Sequence, residues 1–423
     1  MNTPLLSLAF ALLCVQSPVV RVGIDDGDLR GRDHRVLQAA IDYVANLGGG
    51  TVEIKPGRYT LRNAVQFRNN VHVIGAKDTV LVLGPGRKTG LAKDVAKGAT
   101  DITLADPAGF ELGDAIARED KAGHGFEVTT ATLIARLGPK TFRISQPAES
   151  DYLLSRGAEV KHAFSGIGGW NIKNASVKGV TIEGNHGTPG SEYLGGCRGA
   201  GVYLFGCENV RVADCTVRKY NGDAISFQGK CEKITIEHCL CEDNFNVGLH
   251  PGSGSHSCVV RKNTLRNNGY VGLFVCVGVR KVLFEDNDIT SNAGCGISIG
   301  FDDTDNVFRA NRVTGNAETG VLFRRDSPKA EHGAHRNVFE KNLIKDNLGP
   351  RPAKSNSRPS SAGQACVVIE GAHHDLVFRD NDLGFSKAHA GSAFLLDAAV
   401  KDLRLLDNRL HFLEVVNKVY RAP

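Results

Sequence analysis

GLHPGSGSHSCVVRKNTLRNNGYVGLFVC, residues 248–276, holds the pattern that decides the fold. Gly248-Leu249 opens it, and Gly272-Leu273 opens the next copy 24 residues later. Extended both ways, the pattern gives GVYLF, AISFQ, GLHPG, GLFVC, GISIG and GVLFR, starting at 201, 224, 248, 272, 296 and 320. Later copies start at Cys366 (CVVIE) and Ala393 (AFLLD), after insertions. A second column runs Cys215, Cys239, Asn263, Asn287, Asn311, Asn342, Asn381 and Asn408. A third, Asn244, Asn268, Asn292 and Asn316, falls four residues before the glycines. A fixed period of this length marks a repeat architecture in which each unit completes its core only against its neighbours.

Within each repeat the apolar residues alternate with period two over runs too short for helices. Val202, Ile225, Leu249, Leu273, Ile297 and Val321 form one inward column. Leu204, Phe227, Val275, Ile299 and Phe323 form another. The predicted fold is therefore all-β: a single-stranded right-handed parallel β-helix, each coil about 4.8 Å above the last. The Asn columns are turn ladders, because an amide can bond its own turn and the amide of the next coil. Cys215 and Cys239 occupy the same column as small packing residues rather than as a disulfide.

Ahead of the coils, Val36, Leu37, Ala40, Ile41 and Val44 have helical spacing and end at Gly48-Gly49-Gly50. This is read as an amphipathic helix capping the open end of the solenoid, whose bare strands would be an unpaired edge. The organisation expected is a secretory leader over 1–20, cap and first coils over 21–93, a small β-rich insertion over 94–163, and the β-helix over 164–423. The Pro/Ser-rich stretch 348–363 is read as a loop insertion between coils.

These elements resemble the pectate-lyase-like β-helix superfamily. The resemblance rests on Ala39-Ala40-Ile41, Gly48-Gly49-Gly50-Thr51-Val52 and Pro56-Gly57-x-Tyr59 in the cap. It rests also on the coils NGDAISFQ, GLHPGSGS, GISIGFDDTDN and GVLFR, which are similar to the parallel-β-helix-repeat branch. The resemblance implies a carbohydrate-active enzyme, since that superfamily holds polysaccharide lyases, glycoside hydrolases and uronan epimerases. It is specific for fold and not for reaction.

Composition narrows the function. The 423 residues carry a formal charge of +5 spread along the chain, with 49 glycines and single Met and Trp residues. No block of Lys and Arg suggests a nucleic-acid footprint. The run Leu5–Val15 is too short to span a bilayer and fits the apolar part of a signal peptide, though no Lys or Arg precedes it. The expectation is a secreted or periplasmic monomer with a polysaccharide as partner, no nucleic acid and no membrane span. An apolar N-terminal segment packed on the fold is the alternative. The 11 cysteines match no zinc spacing.

Function should lie where the repeat departs from itself. The outward column beside the glycines reads Tyr203, Ser226, His250, Phe274, Ser298 and Leu322; the next reads Phe205, Gln228, Gly252, Cys276, Gly300 and Arg324. Gly252, Gly254, Gly278 and Gly300 either bare a trough for an extended polymer or mark bends and tight turns. Around them stand the catalytic candidates Asp223, His250, Asp302 and Arg324, with Ser226, Gln228, Phe274, Ser298, Arg325 and Asp326 as substrate contacts. Asp302, Asp303 and Asp305 supply oxygens for a hard cation such as Ca2+, or form a solvated acidic turn. No cofactor is otherwise required. Cys276 lies one coil from His250, with no further support for a thiol nucleophile.

Three functions remain open. In β-elimination or epimerisation of a uronate polymer, Arg324 or Arg325 neutralises the carboxylate and His250 takes the adjacent proton. In hydrolysis of the polygalacturonase type, two carboxyls flank one bond. Asp223 and Asp302 are three coils apart, roughly 14 Å, too far for that role, whereas Asp302 and Asp326 share a column at about 5 Å. In the third, the β-helix binds glycans without catalysis.

Overall fold

The computed structural model describes residues 17–122, 127–325, 330–349, 365–389, 391–413 and 420–422. Asp326, most of the 348–363 insertion and most of the expected leader lie outside the described residues.

The 24-residue period resolves into three short strands per coil. In one coil they are Ala200–Phe205, Glu208–Ala213 and Thr216–Arg218; in the next, Asp223–Gln228, Thr235–Glu237 and Leu240–Glu242. Each strand pairs in parallel with its counterpart one coil away: Val202↔Ile225, Val212↔Ile236 and Val217↔Cys241. Three parallel sheets result, numbered here in chain order within a coil. Sheets 1 and 3 have 11 strands each and sheet 2 has 13 among the described residues. The fold is the right-handed parallel β-helix, the hand expected for parallel strands joined by crossovers.

Both inward columns are buried: Val202, Ile225, Leu249, Leu273, Val275, Ile299 and Phe323 are 0% exposed. Sheet 2 adds a file of rings, Phe284–Phe308–Phe339–Phe378, stacked at centroid distances of 4.7, 4.3 and 4.7 Å. Such pairs add about 0.5–1.5 kcal/mol each beyond the area they bury.

The Asn columns are ladders of hydrogen bonds. Asn287 Oδ1 accepts from Asn263 N (3.1 Å) and Asn263 Nδ2 (3.0 Å), while Asn287 Nδ2 donates to Val260 O and Asn311 Oδ1, both at 2.9 Å. Asn244, Asn268, Asn292 and Asn316 repeat this at the next corner, and Asn347 continues it. Each ladder Asn follows a residue in the left-handed region, such as Asp286 (φ 54°) and Ser291 (φ 55°). The amide bonds offset the roughly 1–2 kcal/mol that this conformation costs a non-glycine residue. Cys215 and Cys239 are buried free thiols in the first of these columns.

The cap is helix α1, His34–Asn46, begun by Asp33, whose carboxylate accepts from Arg35 N at 2.9 Å. Leu37, Ala40, Ile41 and Val44 are fully buried against the first coils. Between strands Thr79–Leu83 and Ile167–Trp170 the chain leaves the coil. It builds a six-stranded antiparallel sheet from Lys88–Gly90 to Glu159–Lys161, with its own core around Ile116, Leu133, Phe142 and Val160. An ion pair pins this unit to the coils. Arg62 Nε and Nη2 donate to the two oxygens of Asp114, both at 2.6 Å, and His162 Nε2 lies 3.2 Å from Asp114 Oδ2. Burial opposes the Asp114 charge, but His162 and Arg62 outweigh it and bring the carboxyl down to about 2.

Candidate functional site

Sheet 1 sends every second side chain outward. Ser226 pairs with His250, and Phe274 with Ser298, so the outward file expected from the repeat stands in register. The first link is a buried ion pair. His250 Nδ1 meets Asp223 Oδ2 at 2.7 Å, and Asp223 Oδ1 accepts from Asn246 Nδ2 (2.7 Å) and Val247 N (3.3 Å). Burial works against a charged ring here. The Asp223 carboxylate and the Cys276 thiol outweigh it and push His250 up to about 9.

His250 meets the edge of Phe274, centroids 5.0 Å apart. Arg324 Cζ lies over the same ring, 4.4 Å from its centroid. Its Nη1 donates to Ser298 Oγ (2.8 Å) and its Nη2 to Val275 O (3.0 Å). The structure thus joins Asp223, His250, Phe274, Ser298 and Arg324 in one run along five coils. Phe274, Cys276 and Arg324 are partly exposed, so the run opens to solvent at this end.

At the other end it is covered. The segment between Glu183 and Ala200 arches over sheet 1, and a side chain at Gly196 would collide with Asp223 and His250. Ser226 Oγ donates to Gly196 O (2.7 Å), and Tyr203 Oη to Cys197 O (2.8 Å). Ser226 and Gln228 are therefore buried, at 0% and 2% exposure, and hold one another and Ser253. This corrects their expected role as substrate contacts. Sequence patterning placed them outward but could not show a covering segment from the preceding coil.

The acidic cluster also reads differently. Asp303 turns inward and accepts from Val279 N and Gly300 N, both at 2.9 Å. Asp302 faces His332 at 3.1 Å, and Asp305 takes a two-pronged bond from Arg336. The three do not converge, which corrects the expected Ca2+ site. Asp302 is also absent from the run around Phe274. Arg325 leaves the stripe to pair with Asp397. Three of the four glycines have local structural reasons. Gly254 (φ 78°) and Gly278 (φ 76°) are left-handed turn residues, and a side chain at Gly252 would strike Gln228. Gly254 and Gly278 line a surface groove of about 520 Å³ with Lys230, Arg280 and Arg336.

One feature was not read from the sequence. Beside the insertion lies a cleft of about 480 Å³ lined by Gln66, Thr130, Gln146, Glu149, Trp170 and Arg198. Trp170 is 41% exposed and packs on Phe205 and Tyr203 at centroid distances of 4.9 and 5.4 Å. The lone tryptophan of the chain, at an outward strand position, was the available signal.

A family model described as "NosD: Periplasmic copper-binding protein (NosD)" matches residues 172–357. No curated protein sequence matches the chain. Among solved structures, the A-module of the mannuronan C-5 epimerase AlgE4 of Azotobacter vinelandii is 14% identical, with a TM-score of 0.50 over 94% of this chain and 100% of that one. The surface protein and adhesin PfbA of Streptococcus pneumoniae is 14% identical, with a TM-score of 0.50 over 94% and 98%. ORF18 of Geobacillus virus E2 is 10% identical, with a TM-score of 0.52 over 93% of this chain and 62% of that one. At these identities the likeness concerns the fold.

Proposed function

We propose that the chain is a secreted or periplasmic carbohydrate-active β-helix. Its substrate is an acidic polysaccharide, modified at a uronate by β-elimination or epimerisation. The observation that carries this reading is the shared contact of His250 and Arg324 with Phe274 at the open end of the sheet 1 face. A proton next to a carboxylate is weakly acidic, and its removal needs a base and a fixed positive charge for the developing anion. Arg324, held by Phe274, Ser298 and Val275, supplies the charge in a set orientation. His250, oriented by Asp223, exchanges the proton. Elimination then expels the glycosidic oxygen, whereas epimerisation returns a proton to the opposite face.

The aromatic platform at Trp170 extends the same face. Trp170 and Arg324 stand six rungs apart on this face, roughly 29 Å, with the covering segment over Tyr203 and Ser226 between them. The epimerase similarity is one of fold and lends the uronate reading its context. A copper role, carried by the family description, finds no matching donor set. Among the described residues no three His, Cys, Asp or Glu side chains face one point. His332 is bonded to Asp302, and the His335 nitrogens meet Gly333 N and His374 N. Hydrolysis is less well supported, because Asp223 is held by His250 and Asp302 by His332.

The test is a panel of acidic and neutral polysaccharides. Unsaturated uronate absorbance or an inverted uronate signal is expected with an acidic polymer. New reducing ends without either would instead indicate hydrolysis. Retention on glycans without product would indicate binding alone.

A further inference from the structure

We propose that the cleft between the insertion and the first coils is a second, non-catalytic saccharide site. It takes an uncharged oligosaccharide and stacks one pyranose ring on Trp170. The inference stands apart from the uronate chemistry, because it concerns binding at a place that chemistry does not use.

Four observations carry it. The cleft of about 480 Å³ lies between strand Ile167–Trp170 of the coils and strand Thr129–Arg136 of the insertion. That size falls within the roughly 300–1,000 Å³ of small-ligand pockets. The Arg62–Asp114 pair fixes the insertion against the coils, so the walls are set before a ligand arrives. Next, Trp170 lines the cleft as a large apolar ring, 41% exposed and backed by Phe205 and Tyr203. Tyr203 is itself fully buried and anchored to Cys197 O, so the indole is held from behind.

The third observation is an amide with nothing to bond. Gln66 and Gly168 pair across adjacent rungs, and a side chain at Gly168 would stand 2.9 Å from Gln66 Oε1. The bare glycine thus lets the Gln66 side chain lie across the sheet, on the floor of the cleft. Its backbone N and O are bonded to Gln38, yet its amide group makes no hydrogen bond among the described residues. A second, exposed amide, Gln146, lines the cleft from the insertion. Finally, the charges are matched. Arg198 of the covering segment lies 3.5 Å from Glu149, and Arg68 lies 2.9 Å from Asp42.

The ligand class follows from these groups. A pyranose offers a C–H face that packs on an aromatic ring and a rim of hydroxyls that need both donors and acceptors. The indole meets the first need and the amides meet the second. An acidic sugar would need a cation for its carboxylate, and here the lining arginines are already matched by carboxylates. The covering segment, bonded to Ser226 and Tyr203, separates the cleft from the His250 run.

Trp170 is the single tryptophan of the chain, so tryptophan emission from the full-length protein reports this cleft alone. The experiment titrates that emission with cellotetraose, maltotetraose, mannotetraose and xylotetraose, and with tetragalacturonate as the acidic comparison. At least one neutral tetrasaccharide is expected to shift the emission saturably and to bind more tightly than tetragalacturonate. By calorimetry, W170A should weaken that binding by about tenfold or more. Q66A should weaken it by about threefold to tenfold. H250Q should bind as the wild type does, so failure of the uronate reading leaves this one standing. No saturable change with any of the neutral sugars would overturn the proposal. So would tighter binding of tetragalacturonate than of all of them, or equal affinity in W170A. Should W170A fail to fold, equal affinity in Q66A overturns it.

Discussion

At the residue scale, His250 is where burial, charge and position meet. The imidazole is 5% exposed yet cationic, because Asp223 bonds Nδ1 and Cys276 acts on the same ring. Proton transfer by a positioned side chain contributes about 10²–10⁴-fold. H250Q is therefore expected to reduce turnover of the acidic substrate by at least about 100-fold, read from initial rates of unsaturated or inverted uronate. Because the ring holds its proton up to about pH 9, wild-type activity with His250 as base should rise with pH and level off near 9. The same shift affects stability. The folded-state value lies above the unfolded one of about 6.5, so the stabilisation is fully present below about 6.5 and is lost as pH rises through 9. Its upper bound is about 3 kcal/mol. Urea midpoints of the wild type should fall between pH 6 and pH 10 by more than those of H250Q. A parallel decline in both would show that the ion pair adds nothing.

At the element scale, the ladders and the insertion pin bear the structure. Asn287→Ala removes four hydrogen bonds from a buried corner and leaves the partners unpaired. A loss of roughly 2–4 kcal/mol is expected, read as a lowered urea midpoint at constant slope. The Arg62–Asp114 pair joins the insertion to the coils and belongs to the acid limb. Asp114 lies at about 2, below its ordinary value of 3.8, so the stabilisation is present above 3.8 and is lost as pH falls through 2. Asp114→Asn should speed proteolysis within the insertion at neutral pH without changing cleavage of the later coils. The Asn columns were legible because identical turns force identical residues at a fixed spacing. Asn347 continues its ladder 31 residues after Asn316, across the same insertion that separates Asn342 from Asn311, and was not read into the column. Ser226 and Gln228 were placed on the right face and given the wrong role. What lies above an outward residue depends on a non-repetitive segment, which carries no period to read.

At the scale of the whole molecule, one 24-residue unit, stacked and capped, accounts for the three long sheets and the continuous core. That level was fully legible, because the apolar columns, the Asn ladders and the capping helix all require the same parallel stack. The site was legible in part. The repeat placed His250 and Arg324 on one face, and the structure links them through Phe274. It also scatters Asp302, Asp303 and Asp305, whose closeness in sequence concealed three separate turn roles. The Trp170 cleft arises from packing between the coils and the insertion, a relation that no single repeat encodes. Among the described residues no helix is long and apolar enough to cross a membrane. The most direct test of the proposed chemistry is proton NMR of an acidic polysaccharide after incubation with wild type and with folded H250Q. Wild type is predicted to remove the proton beside the uronate carboxylate, leaving an unsaturated or inverted residue, and H250Q to leave the polymer unchanged. Loss of that proton at equal rates with both proteins, or with neither on any uronate polymer, would contradict it.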